Sequence, residues 1–380
     1  MNTTFDFNPR DSRFADSARR LRNAFDRVSG AAVPVVEPGG YARKFSTKQR
    51  LEDFEKMAVD AVGWANAQAA NGSDWLPFLD TFVDVVMIAE AFGCEVVYTE
   101  GADPWCTAAL PDISGVWNLK PAPLGTSYMV RRLNEWVDYA QRHLGTDVPL
   151  WTVDVQSPFS VAAHIVEPTE LMMACVTDPK AVHHLVNMVA EYSIQQMQQH
   201  IQQMEHPNFP GRNYPSISDN IGICIADDTP LIMLSPEMYR EFALPYNSMV
   251  SRALGGCHIH SCGNYSHNMD NLLRIDGVRS VQFHAGEGEY PLPRNATDDA
   301  AVNRARRNMT CLVDVNDISR GDAWRGRARE HYTHYVLDRL FTGDTTGHIF
   351  QPPGGGNVPA CQEAVAWTRQ ELAKRGAKVE

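Results

Sequence analysis

Eight short apolar runs, each separated from the next by a longer helix-like stretch, constrain this chain more than any other feature of its sequence. The runs cover residues 33–37, 76–84, 150–155, 221–228, 255–264, 278–284, 310–316 and 348–351. Parallel strands need long crossover connections, usually helical, so regular alternation of this kind predicts a parallel sheet. Eight such units in 380 residues predict an α/β fold, a (β/α)8 TIM barrel. Ahead of it, Phe14, Ala18, Leu21, Phe25 and Val28 recur at helical spacing and stop at Ser29-Gly30. Residues 1–30 are therefore expected to be an N-terminal helical extension that caps one end, and residues 31–380 the barrel domain. Single helices are expected over 47–70, 127–144, 179–204 and 235–253, and a short accessory strand over 95–98. The helix from 235 opens on Ser235-Pro236-Glu237, serine at the cap and proline in the first turn.

A hydrophobic fraction of 44% is ample for a core of this size. No apolar run reaches the ~18 residues of a membrane helix, and the amino terminus is polar without an apolar signal region. The expectation is a soluble cytoplasmic protein. A net charge of -12 argues against a nucleic-acid partner, which would meet a basic face. The eight cysteines show no framework spacing, which fits reduced thiols of which one or two are functional.

The chemistry concentrates in Gly255-Gly256-Cys257-His258-Ile259-His260-Ser261-Cys262-Gly263-Asn264. In a strand, alternate side chains share a face, so His258, His260 and Cys262 fall together. Two imidazoles and a thiol at a strand end are preferred zinc ligands, although for a lone His-x-Cys a core strand with hydrogen-bonded histidines is the simpler explanation, since short pairs arise by chance. What weighs against the plain packing explanation is the company. The other strand ends carry Asp84, Asp154, Asp227, Asp228, His284, Asp314, Asn316 and Gln351, and barrel chemistry sits where strands end. Asp80 and Asp84 lie among apolar neighbours, where a carboxylate needs a partner or a shifted pKa.

Several motifs occur in an order that resembles the uroporphyrinogen decarboxylase superfamily. They are Ala91-Phe92-Gly93-Cys94-Glu95-Val96, Ser157-Pro158-Phe159-Ser160 with Asp178-Pro179, Asp227-Asp228, Leu234-Ser235-Pro236-Glu237 with Pro245-Tyr246, and His260-Ser261-Cys262-Gly263-Asn264. Within the superfamily the chain looks like the zinc-dependent, corrinoid-linked methyltransferases of the coenzyme M and O-demethylase kind. The resemblance implies a barrel, zinc on His260 and Cys262, and catalytic roles for Asp84 and His164. Against the decarboxylases stand the stretch Glu37-Pro38-Gly39-Gly40-Tyr41, which lacks the arginines of their carboxylate-binding loop, and His164, where they carry tyrosine. The coenzyme M enzymes take a third ligand from a cysteine near the last strand. Here no cysteine lies nearer than Cys361, so the third ligand is expected from His284 first, His258 second, or a carboxylate such as Asp84 or Asp228 third.

The implied reaction moves a methyl group between a small methoxy compound or thiol and a cobalamin (corrinoid) carried by a separate corrinoid protein, since no corrinoid-binding segment is recognisable in the chain. Zinc would activate a thiol or act as a Lewis acid on an ether oxygen. A harder third ligand favours oxygen. A homodimer is compatible with this reading. Two other functions stay open: a metal-free, decarboxylase-like lyase on a smaller acid using Asp84 and His164, and a non-catalytic tetrapyrrole- or corrinoid-binding barrel.

Overall fold

The computed structural model describes residues 3–380 except 82, 84, 100–102, 210–213, 216, 285–298, 315–328, 331, 339–343 and 353–355, and describes the backbone alone at 283, 284, 299, 313, 314 and 335. Helix α1 spans Ser12–Phe25 and is capped by the Asp11 carboxylate, which accepts the Arg13 N–H. It buries Leu21, Ala24 and Phe25. These residues pack with Val36, Phe78, Trp151, Cys224, Leu312 and Ile349, a cluster separate from the larger core under the outer helices. The amino-terminal helix is thus a plug driven into the barrel. Asp74, buried at 1% exposure, fastens it. Its carboxylate accepts Arg20 Nε at 2.8 Å and the Val35 N–H at 2.8 Å, and pairs with Arg369 at 3.3 Å. The Ser17 hydroxyl also donates to it at 3.1 Å, and one carboxylate with four partners from three segments is satisfied where a lone charge would be costly.

The first strand is shorter than its apolar run. Val35 makes a single parallel bridge to Phe350, because Pro34 has no N–H to extend the ladder and Pro38 follows closely. The helical stretch 47–70 is two helices, α2 (Thr47–Glu52) and α3 (Phe54–Ala70). Asp53 is extended at φ -139°, ψ 104° and its side chain caps α3 through the Glu55 N–H, so a residue with strong capping preference divides the helix. In the second strand Leu79 bridges Leu150 in parallel, and α4 (Met87–Ala91) follows. The antiparallel pair β1 (Glu95–Val97) and β2 (Trp105–Thr107) is an accessory sheet.

After α5 (Tyr128–His143), the third barrel strand is split into β3 (Leu150–Trp151) and β4 (Val155–Gln156). Helices α6 (Pro158–Ile165), α7 (Pro168–Thr177) and α8 (Pro179–Gln203) each begin on proline. The short strand β5 (Pro207–Asn208) pairs with β3. Then come β6 (Ile223–Ala226), α9 (Asp228–Met233), α10 (Pro236–Phe242) and α11 (Leu244–Ala253). The expected single helix 235–253 breaks at Ala243, two residues before Pro245, whose ring excludes a continuous helix. The later elements include β7 (Cys257–His260), α12 (Met269–Leu272), β8 (Val278–His284), α13 (Asp299–Asn308), β9 (Thr310–Asp314), a π-helical stretch Tyr332–Asp338, β10 (His348–Phe350) and α14 (Val358–Lys374).

Strands β10-β9-β8-β7-β6-β4 form one parallel sheet, extended by Val35 on one side. From β4 the chain runs back to β3 and its bridge to Leu79, and the Asp74 N–H donates to Val35 O at 2.8 Å. The strand positions therefore run round a (β/α)8 barrel in the order the eight runs predict. Gly222 shows how tightly the strand starts meet: it has φ +122°, and a Cβ there would lie 2.7 Å from the Gly256 carbonyl carbon.

Candidate metal centre

Strands β6, β7 and β8 bring the central residues together. Their register pairs Ala226 with His260 and His260 with Gln282, so these three side chains share one face across neighbouring strands. His260 ends β7 at 9% exposure. Its Nδ1 lies 2.7 Å from Gln282 Oε1 and its Nε2 lies 3.3 Å from Cys262 Sγ. Asp228, in the first turn of α9, accepts the Cys262 N–H on Oδ1 at 2.6 Å. A nitrogen of His260, Sγ of Cys262 and a carboxylate oxygen of Asp228 lie within 4.8 Å of one another.

A tetrahedral zinc with bonds of about 2.0–2.3 Å holds its ligands roughly 3.3–3.8 Å apart. The His260–Cys262 pair already has that spacing, and the carboxylate needs a swing of at most about 1 Å. The three donors therefore fit a zinc ion, with a fourth position left for a substrate atom. Burial alone would lower the His260 pKa, but the hydrogen bond to Cys262, the charges of Cys262 and Asp228, and the bond to Gln282 raise it to about 9. No disulfide joins any of the eight cysteines, and Cys262 is the exposed one.

His258, the second choice for a third ligand, is not part of the group. It faces the same way as His260 but one layer deeper, with Nδ1 on Ser280 Oγ and its ring between Phe25 at 5.1 Å and Tyr214 at 5.0 Å. Burial pushes its pKa down to about 3, so it is a neutral core histidine. His284, the first choice, ends β8, where its backbone pairs with Asp314; its side chain lies outside the described residues. Asp84 also lies outside them. His164 occupies the last turn of α6, edge-on to Trp105 at 4.8 Å, and burial lowers its pKa.

The paired carboxylates after β6 divide by parity. Asp228 continues the face of Cys224 and Ala226, whereas Asp227 points to the helices. There it accepts the Tyr239 hydroxyl at 2.6 Å and Asn247 Nδ2 at 2.9 Å, and burial lifts its pKa to about 7. Asp227 is thus a structural residue and not a rim ligand. Asp80 is buried against Arg43 and Arg50, cations that lie just beyond the arginine-free stretch 37–41. Sequence reasoning passed over Gln282. The period-two pattern of β8 carries the signal that could have found it, because Ser280 and Gln282 stand opposite His258 and His260. A cavity of about 230 Å³ opens at the strand-start end, bounded by Phe7, Phe14, Leu76 and Pro149 with Asp147 at its edge. Among the described residues no histidine or cysteine lines it, and Asp147 is held by Arg10 at 3.0 Å.

Comparison with known proteins agrees with this architecture. The family model described as "Uroporphyrinogen decarboxylase (URO-D)" matches residues 79–204. Over that stretch the chain is similar to the uroporphyrinogen decarboxylases. The uroporphyrinogen decarboxylase of Xanthomonas axonopodis pv. citri is 26% identical over 179 residues, 46% of this chain and 45% of that protein. The enzyme of Xylella fastidiosa is 25% identical over the same shares. The chain thus spans less than half the length of the curated relatives it matches, and the matched family region, 79–204, ends before the residues of the His260 group. Among solved structures, a methyltransferase from Methanosarcina mazei superposes with a TM-score of 0.65 at 16% identity, covering 94% of this chain and 99% of that one. At that identity the likeness shows a shared fold, which extends over nearly the whole chain.

Proposed function

We propose that this chain is a methyltransferase that moves a methyl group between a small methoxy compound or thiol and a corrinoid carried on a partner protein, with zinc held at the barrel mouth. The observation that carries the reading is the meeting of His260, Cys262 and Asp228 within 4.8 Å at the strand ends. Zinc bound there would supply Lewis acidity toward the substrate oxygen or sulfur. Cys262 and Asp228 would balance the ion's charge, and a carboxylate in place of a second thiolate makes the donor set harder, which favours an oxygen-methyl donor. The bond from the Cys262 N–H to Asp228 ties the two ligand-bearing loops together without taking both carboxylate oxygens. Beside Cys262 the rim is apolar: Met233 is 63% exposed, and Ile232 crowds Gly263 so closely that a Cβ there would meet Ile232 Cδ1 at 2.2 Å. An exposed apolar rim suits a docking protein. Asp84 and His164 keep their proposed role as proton-handling groups. Among the described residues no helix is long and apolar enough to cross a membrane.

The test is methyl transfer to free cob(I)alamin from a panel of methoxybenzoates, and from methylcobalamin to small thiols, with zinc-loaded and chelator-treated protein. Zinc-dependent formation or loss of the methyl–cobalt absorption is expected. Absence of transfer in both directions with zinc-loaded protein would overturn the reading.

A further inference from the structure

We infer that Gln282 is a positioning residue that fixes which nitrogen of His260 faces Cys262 and any metal there. This deepens the metal-centre reading and rests on it. An imidazole can bind a metal through Nε2 only when the proton sits on Nδ1, so a partner that accepts from Nδ1 selects the competent tautomer. Gln282 Oε1, an oxygen that can only accept, lies 2.7 Å from Nδ1. The backbone beneath it is held: β7 and β8 pair His260 with Gln282 in the ladder, and the Tyr265 hydroxyl donates to Gln282 O at 2.7 Å. Both ends of the contact are therefore set by the sheet.

The same two strands make a second histidine contact one layer down, His258 with Ser280, which separates the two roles. A hydroxyl can donate or accept, so Ser280 leaves the His258 tautomer open, and that ring is sealed between Phe25 and Tyr214. Gln282 contributes direction without charge. A carboxylate in its place would orient the ring equally well but add a negative group beside Cys262 and Asp228, making the donor set richer in electrons and any bound ion a weaker Lewis acid.

The experiment compares wild type, Gln282→Leu and Gln282→Glu by zinc affinity, measured in competition with a chromophoric chelator, and by 15N chemical shifts of His260 in the zinc-free protein at a pH above 9. Wild type is expected to carry its proton on Nδ1. Gln282→Leu should lose that preference and bind zinc 10- to 100-fold more weakly, the usual effect of removing a ligand's hydrogen-bond partner. Gln282→Glu should restore both. Wild-type zinc affinity within twofold in Gln282→Leu, with the tautomer unchanged, would overturn the inference. Should wild type bind no zinc, the metal reading fails by itself and the 15N shifts still decide: a proton on Nε2 in wild type would refute the role of Gln282. That wild-type measurement stands even where Gln282→Leu does not fold.

Discussion

The double variant His260→Ala/Cys262→Ala is expected to purify without zinc and to lose methyl transfer by at least about 10³-fold. Full zinc coordination in small protein sites is worth about 10–16 kcal/mol, roughly 3–4 kcal/mol per ligand, so removing two ligands weakens binding by roughly 10⁴-fold or more. The fold should survive. Cys262 is exposed, and of the His260 side chain's polar contacts the one to Gln282 is buried, so its loss costs about 1–3 kcal/mol. The two effects separate on one preparation: metal content by mass spectrometry collapses while the melting temperature of metal-free protein drops by only several degrees. Stoichiometric zinc persisting in the double variant would place the metal elsewhere. A large loss of stability with no loss of zinc would make His260 a core residue, the explanation that suits His258.

Acidification is expected to destabilise the protein steeply between pH 6.5 and 4. Burial holds His200, His258 and His348 each at a pKa of about 3. His200 has no hydrogen-bond partner on either ring nitrogen among the described residues, and His348 accepts from Arg306 Nε at 2.6 Å, a bond that a second ring proton would break. Each folded pKa is depressed below the ~6.5 of an unfolded histidine. The stability each contributes is therefore complete above pH 6.5 and is lost as pH falls toward 3. By pH 4 the loss is roughly 3 kcal/mol per residue.

Asp227 works the other way. Its pKa, raised to about 7, means it gains stability as pH falls from 7 toward 3.8, and returns roughly 3 kcal/mol by pH 4. His260, raised to about 9, is protonated on both sides of unfolding below pH 6.5 and changes little there. The net loss is roughly 6 kcal/mol, comparable with the whole stability of a typical domain. Chemical denaturation at pH 6.5, 5.5 and 4.5 measures it, and His200→Leu should flatten the profile by about one third of the histidine contribution. A stability flat across this range would show that these rings are solvated in the native state.

Much of the architecture was legible because alternating apolar runs allow few topologies, and the site was legible wherever strand parity continued past the strand end. Asp228 and Asp227 show both sides of this. Either could have been a ligand from spacing alone, but the face shared by Cys224 and Ala226 selects Asp228, and the helices carrying Tyr239 and Asn247 claim Asp227. His258 obeyed the parity rule and still fell outside the group, because depth in the barrel depends on what fills its lower end. That filler is Phe25 of α1, a contact between residues 233 positions apart that no local pattern reveals. The helix breaks at Asp53 and Ala243 were readable in principle from a capping aspartate and from Pro245, and were overridden by long helical periodicity on both sides.

X-ray absorption at the zinc edge of the loaded protein tests the central claim most directly. The account predicts one sulfur at about 2.3 Å with nitrogen and oxygen at about 2.0–2.2 Å, and the multiple-scattering signature of a single imidazole. A second imidazole would bring His284 into the shell. Two or more sulfur ligands, or a shell of nitrogen and oxygen without sulfur, would contradict a centre built on His260, Cys262 and Asp228.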